Sequence, residues 1–556
     1  MIGASVNGKR PLRVGLLVDS LTQPRWVSQI ISDIKSSSIA EICLVVKNEA
    51  ITPDQPRGRL QAYWRNRSYL LYALYNRLDA RVPMNDADAF EDVDVQELLA
   101  DCPVFGVTPL MKKFSDWFPE EAIEKIRSYD LDVALSFGFR ILRGAALRIA
   151  KHGVWSYHHG DNLVNRGGPA GFWEVMDASP ISGSVLQVLS EDLDNGEVLD
   201  RTWLRTSDRF SVRLSKNNLY WRSSSFVMRK LQELYEKGSA DREQSSFRPY
   251  YNRLHKMPTN AELLPKLARL TWTYATNKLR YALYFDQWTL AYRFRSSPTD
   301  PNNSFYRFTQ LTPPKDKFWA DPFPVKHQGK YFIFFEEYLY KADKAHISVM
   351  ELTQAGSTSG PTEPVPVLKR DYHLSYPFML HWQDRYFMIP ETAGNKTVEL
   401  YACESFPGEW KLETVLLAGV PGRDATLFEV DGLWWMFVAI ADTDSSDELH
   451  LYYSSTPLGP WKPHRQNPVK SDVRNSRPAG RPFYWNGDLC RPAQDSSQRY
   501  GYGMTINRIV RLNTDEFVEQ EISKVLPQWR PDLRGTHTLN ICEDLTIIDC
   551  LVHRRR

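Results

Sequence analysis

Two patterns predict a multidomain chain that is α/β at its start and all-β at its end. Apolar runs alternate with helical spacing through the first two hundred residues, and a strand–turn–strand unit recurs five times after residue 318. The expected architecture is a Rossmann-like α/β domain over residues 1–205, a helical connector over 206–304 and a five-bladed β-propeller over 305–556. At 556 residues the chain is too long for one hydrophobic core, since single cores stop growing near ~250–300 residues.

The opening run between Arg13 and Asp19 is continuously apolar, as a central parallel strand requires. Trp26, Ile30, Ile31 and Ile34 then recur at helical spacing behind Pro24, and Glu41 to Lys47 forms the next buried strand. Gly15 stands alone with no Gly-x-Gly-x-x-Gly after it, which argues against a dinucleotide cofactor. Residues 55–95 suggest an Arg/Tyr-rich helix and an acidic loop. A strand at Cys102 to Val107, a helix at Glu120 to Ser128 and a strand at Leu131 to Phe137 continue the alternation.

The next stretch presents chemistry. A short strand from Gly153 delivers His158 into a Gly/Pro-rich loop, Arg166-Gly167-Gly168-Pro169, and a strand from Ser184 to Leu189 delivers an acidic turn containing Asp192 and Asp194. Loops at the carboxyl ends of strands in an open α/β sheet are where ligands bind, and a His and an Asp there can share a proton-transfer task. A loop histidine and an ordinary turn aspartate would produce the same spacing.

Beyond residue 206 the pattern turns helical, from Asn218 to Glu236 and again from Ala261 to Arg295. The second stretch mixes Trp272, Tyr274, Tyr281 and Trp288 with Lys266, Arg269, Lys278 and Arg280. Such a stretch suits either packing between domains or peripheral contact with a membrane through 261–295.

The repeats follow. Each pairs two strands across a dipeptide that tolerates positive φ: Gln328-Gly329, Gln383-Asp384, Asp431-Gly432, Asn486-Gly487 and Glu543-Asp544. A third strand is expected at Ala345–Leu352, Thr397–Glu404, Glu448–Ser455 and Gly501–Leu512, but not in the fifth unit, and Phe305 to Leu311 is a candidate for closing the ring. Equivalent positions at the starts of the units, Asp321, Tyr376, Asp424, Arg477 and His537, would ring a central channel from inner strands. Glu336, Glu337, Glu391, Asp442 and Asp495 would lie near the same rim. These polar residues either act on a glycan, bind one, or stitch the blade mouths together.

The segment from Gly153 to Gly196 resembles the catalytic core of the folate-dependent formyltransferases, and the resemblance spans roughly residues 11 to 205. It rests on Gly153-Val154-x-Ser156-x-His158, on the loop ending at Pro169 and on the turn at Asp194. It implies 10-formyltetrahydrofolate as formyl donor, held by Phe139, Arg140, Ile141, Leu142 and Asp192. It also implies His158 and Asp194 as catalytic, with Ser156 where the family has an asparagine. That exchange removes an oxyanion donor, a loss of about 2.7–4 kcal/mol unless another group such as Asn162 substitutes.

The acid-rich channel resembles that of five-bladed glycoside hydrolases of the arabinanase and fructosidase type. The propeller more closely resembles the one accompanying glucosamine-inositolphosphorylceramide transferases, through Phe318-Trp319-Ala320-Asp321-Pro322-Phe323, Leu374 to Phe378, Met388 to Thr392 and Ser455 to Trp461. Together these resemblances imply formyl transfer to the amine of an amino sugar, possibly nucleotide-linked, in surface polysaccharide biosynthesis. The alternative is a glycan-binding or glycan-processing propeller beside a degenerate formyltransferase-like domain.

Composition limits the remaining classes. Basic and acidic residues nearly cancel, 69 against 67, so no nucleic-acid partner is expected. Six scattered cysteines include no Cys-x-x-Cys pair, which favours free thiols over a metal or disulfides. With no apolar leader and no apolar run long enough for a span, the expectation is a cytoplasmic protein with no transmembrane segment.

Overall fold

The computed structural model describes residues 9–50, 67–84, 86–192, 194–206, 211–243, 250–297, 302–352, 361–440 and 447–556. It comprises α/β and β-rich parts in two compact units, Met1–Thr273 and Tyr274–Arg556. Part of the stretch expected as an Arg/Tyr-rich helix and acidic loop lies outside the described residues, as does Asp442.

The first unit is built on a seven-stranded sheet. Its order is Glu197–Arg205, Ile181–Val188, Val154–His158, Val133–Ser136, Leu12–Val18, Ala40–Asn48 and Val104–Val107. The strands from Val154–His158 to Val104–Val107 run parallel, and the two at the other edge are antiparallel. Period-two alternation sends Val14, Leu16 and Val18 into one core and Leu17 into another, so both faces of the sheet are covered. Helix Arg25–Ser36 buries Trp26, Val27, Ile30, Ile31 and Ile34 on the first face. Helix Glu120–Arg127 buries Ala122, Ile123 and Ile126 on the second.

The expected helix from Asn218 to Glu236 is two helices, Val212–Ser224 and Phe226–Lys237. Three serines mark the break. Ser223, Ser224 and Ser225 each donate a side-chain hydroxyl to a carbonyl three or four residues back, competing with the helix's own ladder. The expected helical stretch from Ala261 to Arg295 also divides. Helix Asn260–Leu283 gives way to an eleven-residue strand, Tyr284–Phe294. The tertiary partner decides this, because the strand pairs along its whole length with Leu545–Arg555.

That pair is the centre of the first of five sheets in the second unit. Thr309–Leu311, within the candidate stretch Phe305 to Leu311, joins one side, while Leu533–Gly535 and Leu539–Cys542 join the other. The unit that seemed to lack a third strand therefore takes one from Tyr284–Phe294. The second sheet is Lys317–His327, Lys330–Leu339, Lys344–Leu352 and Val365–Leu368, and the third is Ser375–Trp382, Arg385–Thr392, Thr397–Ser405 and Glu409–Ala418. The fourth runs through Gly422–Val430, Leu433–Ile440, Glu448–Ser454 and Lys462–Pro463, and the fifth through Phe483–Trp485, Asp488–Asp495, Gly503–Leu512 and Phe517–Val525.

The turn dipeptides behave as their chemistry requires. Both residues have positive φ in Gln328-Gly329, Gln383-Asp384, Asp431-Gly432 and Asn486-Gly487, as does Glu543. Among the described residues, no helix is long and apolar enough to cross a membrane. All six cysteines are free thiols.

Candidate functional sites

The first site lies in the first unit, where Val154–His158 ends. Ser156 and His158 share a face of that strand. His158 Nδ1 sits 3.3 Å from Asp194 Oδ1, and Asp194 Oδ2 accepts from the Gly167 amide at 3.0 Å. Asp194 adopts φ 51°, a conformation aspartate tolerates better than most residues. The other ring nitrogen, Nε2, is 2.8 Å from the carbonyl oxygen of Asn165. A carbonyl only accepts, so Nε2 carries a proton.

Burial pulls the His158 pKa down, but the hydrogen bond and charge of Asp194 and the Asn165 carbonyl outweigh it, and the net shift is upward. Asp194 moves the other way: burial raises it, and the bond to His158 and its charge carry it below its ordinary value. Both ring nitrogens of His158 face a partner in the protein, and His158 thus ties the loop at Asn165 to the turn at Asp194.

The residues expected around it are otherwise occupied. Ser156 Oγ has the Ser136 carbonyl at 3.5 Å. Arg140 lies against the buried Asp116 carboxylate, with Nε at 2.8 Å and Nη2 at 2.6 Å. Leu142 is in the core, Phe139 packs on Phe118 at 5.0 Å, and Ile141 opens a short strand, Ile141–Arg143. Asp192 is exposed in the turn. Asn162 is buried, and its Oδ1 has no partner.

A cleft beside His158 is lined by His159, Arg166, Gly168, Trp173, Glu174 and His255. His255, which the sequence patterns did not single out, arrives on Leu254–His255, a strand that pairs with Arg166–Gly167. Its ring lies 5.0 Å from Trp173, and its Nδ1 has no hydrogen-bond partner, nor does Nε2 of His159. Burial lowers the pKa of both, helped at His255 by Arg253 and at His159 by His158 and Lys216. A neutral imidazole, which burial favours at both positions, can accept a hydrogen bond.

The second site lies in the second unit and is built by a repeated backbone device. In the first strands of the second, third and fourth sheets, the register slips between Ala320 and Phe323, Ser375 and Phe378, and Arg423 and Thr426. Asp321, Tyr376 and Asp424 occupy these bulges at φ 52°, 43° and 53°. Non-glycine residues at positive φ are uncommon, and three at equivalent positions mark a constrained site.

The bulges bring the side chains together. Asp321 accepts from Thr538 Oγ1 at 2.7 Å and from the Tyr376 amide at 3.3 Å. Tyr376 OH meets Thr426 Oγ1 at 2.9 Å and accepts from the Gly480 amide at 2.8 Å. Asp424 takes both Nε (2.5 Å) and Nη2 (3.2 Å) of Arg477 and the Gln494 amide (2.8 Å), while Arg477 Nη2 also reaches Glu391 at 3.1 Å. His537 lies between two carboxylates, 2.5 Å from Asp549 and 3.5 Å from Asp321.

Arg477 and His537 join this cluster from segments beside the sheets. Of the five residues expected around a channel, Asp321, Tyr376 and Asp424 lie in strands, and Arg477 and His537 lie outside them. Of the rim residues, Glu337 instead bonds Lys317 and Ser348, and Asp495 caps the Ser497 amide.

Burial raises the Asp321 pKa against the opposing charge of His537, and burial also raises Glu391 against Arg477. His537 rises to about 9, because Asp549 and Asp321 overcome its burial. Asp321, His537 and Asp549 hold one ligand atom each within 4.8 Å of one another, a spacing that would suit a cation. The His537 imidazolium already supplies positive charge there. Asp321, Asp424 and Asp549 each accept several hydrogen bonds, so the cluster is a saturated hub with its open side at Glu391 and Tyr500.

Comparisons with known proteins bear on the second unit. The family described as glucosamine inositolphosphorylceramide transferase 1, N-terminal, matches residues 308–536. Glucosamine inositolphosphorylceramide transferase 1 of Oryza sativa subsp. japonica is 36% identical over 212 residues, 37% of this chain and 28% of that protein. The Arabidopsis thaliana protein of the same name is 31% identical over 230 residues, 40% of this chain and 29% of that one. The chain thus spans less than a third of the length of these relatives.

Among solved structures, glycinamide ribonucleotide transformylase 1 from Symbiobacterium toebii aligns with TM-score 0.30 and 11% identity, over 42% of this chain and 93% of that one. The GH43 BlXynB protein from Bacillus licheniformis aligns with TM-score 0.29 and 15% identity, over 38% of this chain and 44% of that one. Likenesses this faint decide nothing about activity.

These relatives correct the functional expectation. They are named for transfer involving glucosamine and inositolphosphorylceramide, so formyl transfer from 10-formyltetrahydrofolate in polysaccharide biosynthesis does not stand. A glycan-binding or glycan-processing propeller beside a degenerate domain fares no better against the same names.

Proposed function

We propose that the protein is a transferase of glycolipid assembly. In this reading the five sheets of the second unit form the blades of one propeller that holds a sugar-bearing inositolphosphoryl headgroup. The observation that carries it is the overlap of two facts. The stretch related to glucosamine inositolphosphorylceramide transferases, residues 308–536, is the stretch whose bulges assemble Asp321, Tyr376, Asp424 and Arg477.

The mouth of the cluster suits a sugar. Tyr500, 39% exposed, offers a ring face beside Arg477 and His537. The Glu391 side chain is 13% exposed, and Glu336 pairs with the half-exposed His373 at 3.3 Å. Apolar ring faces with nearby carboxylates satisfy the two sides of a pyranose, its C–H face and its hydroxyls. Arg477 adds fixed positive charge behind them, favourable to a phosphodiester.

The test is titration of the whole chain with detergent-solubilised inositolphosphorylceramide, with and without glucosamine, followed by a transfer assay with an activated glucosamine donor. Saturable binding that weakens about tenfold or more in Tyr500→Ala and Glu391→Gln supports the reading. Absence of both binding at millimolar headgroup and transfer would sink it.

A further inference from the structure

We infer that helix Asn260–Leu283 is a membrane-surface helix that docks the protein on an anionic bilayer. The argument starts from its pattern. Of 24 residues, only Leu263 and Leu270 are buried. At 100° per residue, Ala261, Leu264, Pro265, Ala268, Thr271, Trp272, Ala275, Leu279, Ala282 and Leu283 fall within one third of the circumference. All ten are exposed and none is charged. Leu264 is 61% exposed, Trp272 72% and Leu279 63%. An ordinary surface helix turns its charged face to water; this one turns an apolar face outward and a narrower apolar seam inward.

A neighbouring helix repeats the arrangement. Leu70–Asp79 exposes Leu70, Leu74 and Leu78, four residues apart, while Leu71, Tyr72 and Tyr75 pack into the cluster that holds Leu263 and Leu270. The two helices are tied at their starts, where Asn260 accepts from the Leu71 amide and donates to the Arg67 carbonyl. Two helices that share one core thus each present a leucine stripe to solvent, and exposed apolar surface of this kind marks an interaction site.

Charge selects the occupant. Lys278 borders the apolar face on one side, and Arg269, bonded to the Met176 carbonyl, and Arg280 border it on the other, where Glu262 is paired with Arg253. Arginine and lysine flanking an apolar face that carries a tryptophan is the composition that lies in a bilayer interface. The basic borders meet lipid phosphates while the leucines and Trp272 enter the acyl boundary. The helix is about 36 Å long, enough for several headgroups. A second protein chain would match the apolar stripe, but not the basic residues on both of its edges.

The test uses the whole chain and bare vesicles, with no glycolipid, so its outcome is independent of the proposed transfer activity. Sedimentation with phosphatidylcholine–phosphatidylserine vesicles should show binding that falls with added salt, and pure phosphatidylcholine should bind less. The double variant Leu264→Glu, Leu279→Glu should lose about tenfold or more of its partitioning. A control pair on strand Glu409–Ala418, Leu412→Glu with Val415→Glu, should keep it. Failure of the wild-type chain to bind, or equal binding by the double variant, overturns the inference. So does light scattering that shows a dimer converted to monomer by the same substitutions, because a second copy would then be the occupant.

Discussion

The two units each hold a buried histidine beside an aspartate, and the two pairs serve different ends. His158 spans a backbone carbonyl and Asp194 at the edge of a cleft, where it fastens two loops. His537 lies between Asp549 and Asp321 with no exposure to speak of, and its positive charge makes a crowd of carboxylates tolerable. In both, what the residue does follows from the number of partners already engaged rather than from the residue pair. A histidine with an unpartnered nitrogen can do chemistry, and His159 and His255 each bring a buried one to the cleft in the first unit.

The sharpest way to break the comparison is to remove the cation that balances the second cluster. Arg477→Met leaves Asp424 and Glu391 buried without their guanidinium, and should destabilise the second unit by about 3–5 kcal/mol in urea unfolding. A change under about 1 kcal/mol would mean that the cluster is solvated and not a hub.

Next comes pH. Asp321, Glu391 and His537 all hold a proton more tightly folded than unfolded. Their contribution is therefore full in acid and is lost as pH rises, for His537 between its unfolded value of 6.5 and about 9. The second unit should lose on the order of a few kcal/mol across that window. His537→Gln should flatten the slope, measured as urea midpoint against pH. In the first unit His159 acts with the opposite sign. Its lowered pKa makes it costly to protonate, so its contribution is lost as pH falls below 6.5.

A double-mutant cycle at His158 and Asp194 should give a coupling of about 1.5–3 kcal/mol, the range for a charge-assisted hydrogen bond. Additive effects would mean that the two loops are held independently. The smallest effect on stability is expected at the membrane face. Leu264→Glu, at an exposed position, should change the unfolding free energy by no more than about 0.5 kcal/mol while vesicle binding falls.

The sequence disclosed the parts governed by local chemistry. The five hairpins were legible because Gln-Gly, Asp-Gly and Asn-Gly dipeptides tolerate positive φ, and the backbone adopts it at each. Asp321, Tyr376 and Asp424 were legible as equivalent positions, though the bulges that turn them inward were not, since a bulge is defined by the partner strand. Tyr284–Phe294 was misjudged as helix for a related reason. Its partner lies at the far end of the chain, and an aromatic run following a true helix has no local mark of the change.

Site roles were harder still. Nothing around His158 in the sequence announces that the Asn165 carbonyl will occupy Nε2, and His255 sits in a stretch with no motif. Function read from the His158 segment therefore went astray, while the residues 308–536 carried the relationship that matters.

The pairing of Tyr284–Phe294 with Leu545–Arg555 sets a schedule for biosynthesis. Thr289 and Cys550, bonded across that pair, are 261 residues apart in the chain. At roughly 5–20 residues per second, the ribosome leaves the earlier strand with a bare edge for tens of seconds before its partner emerges. During that interval the backbone edge of Tyr284–Phe294 is unpaired, and an exposed edge of this kind is a template for pairing with a neighbouring chain.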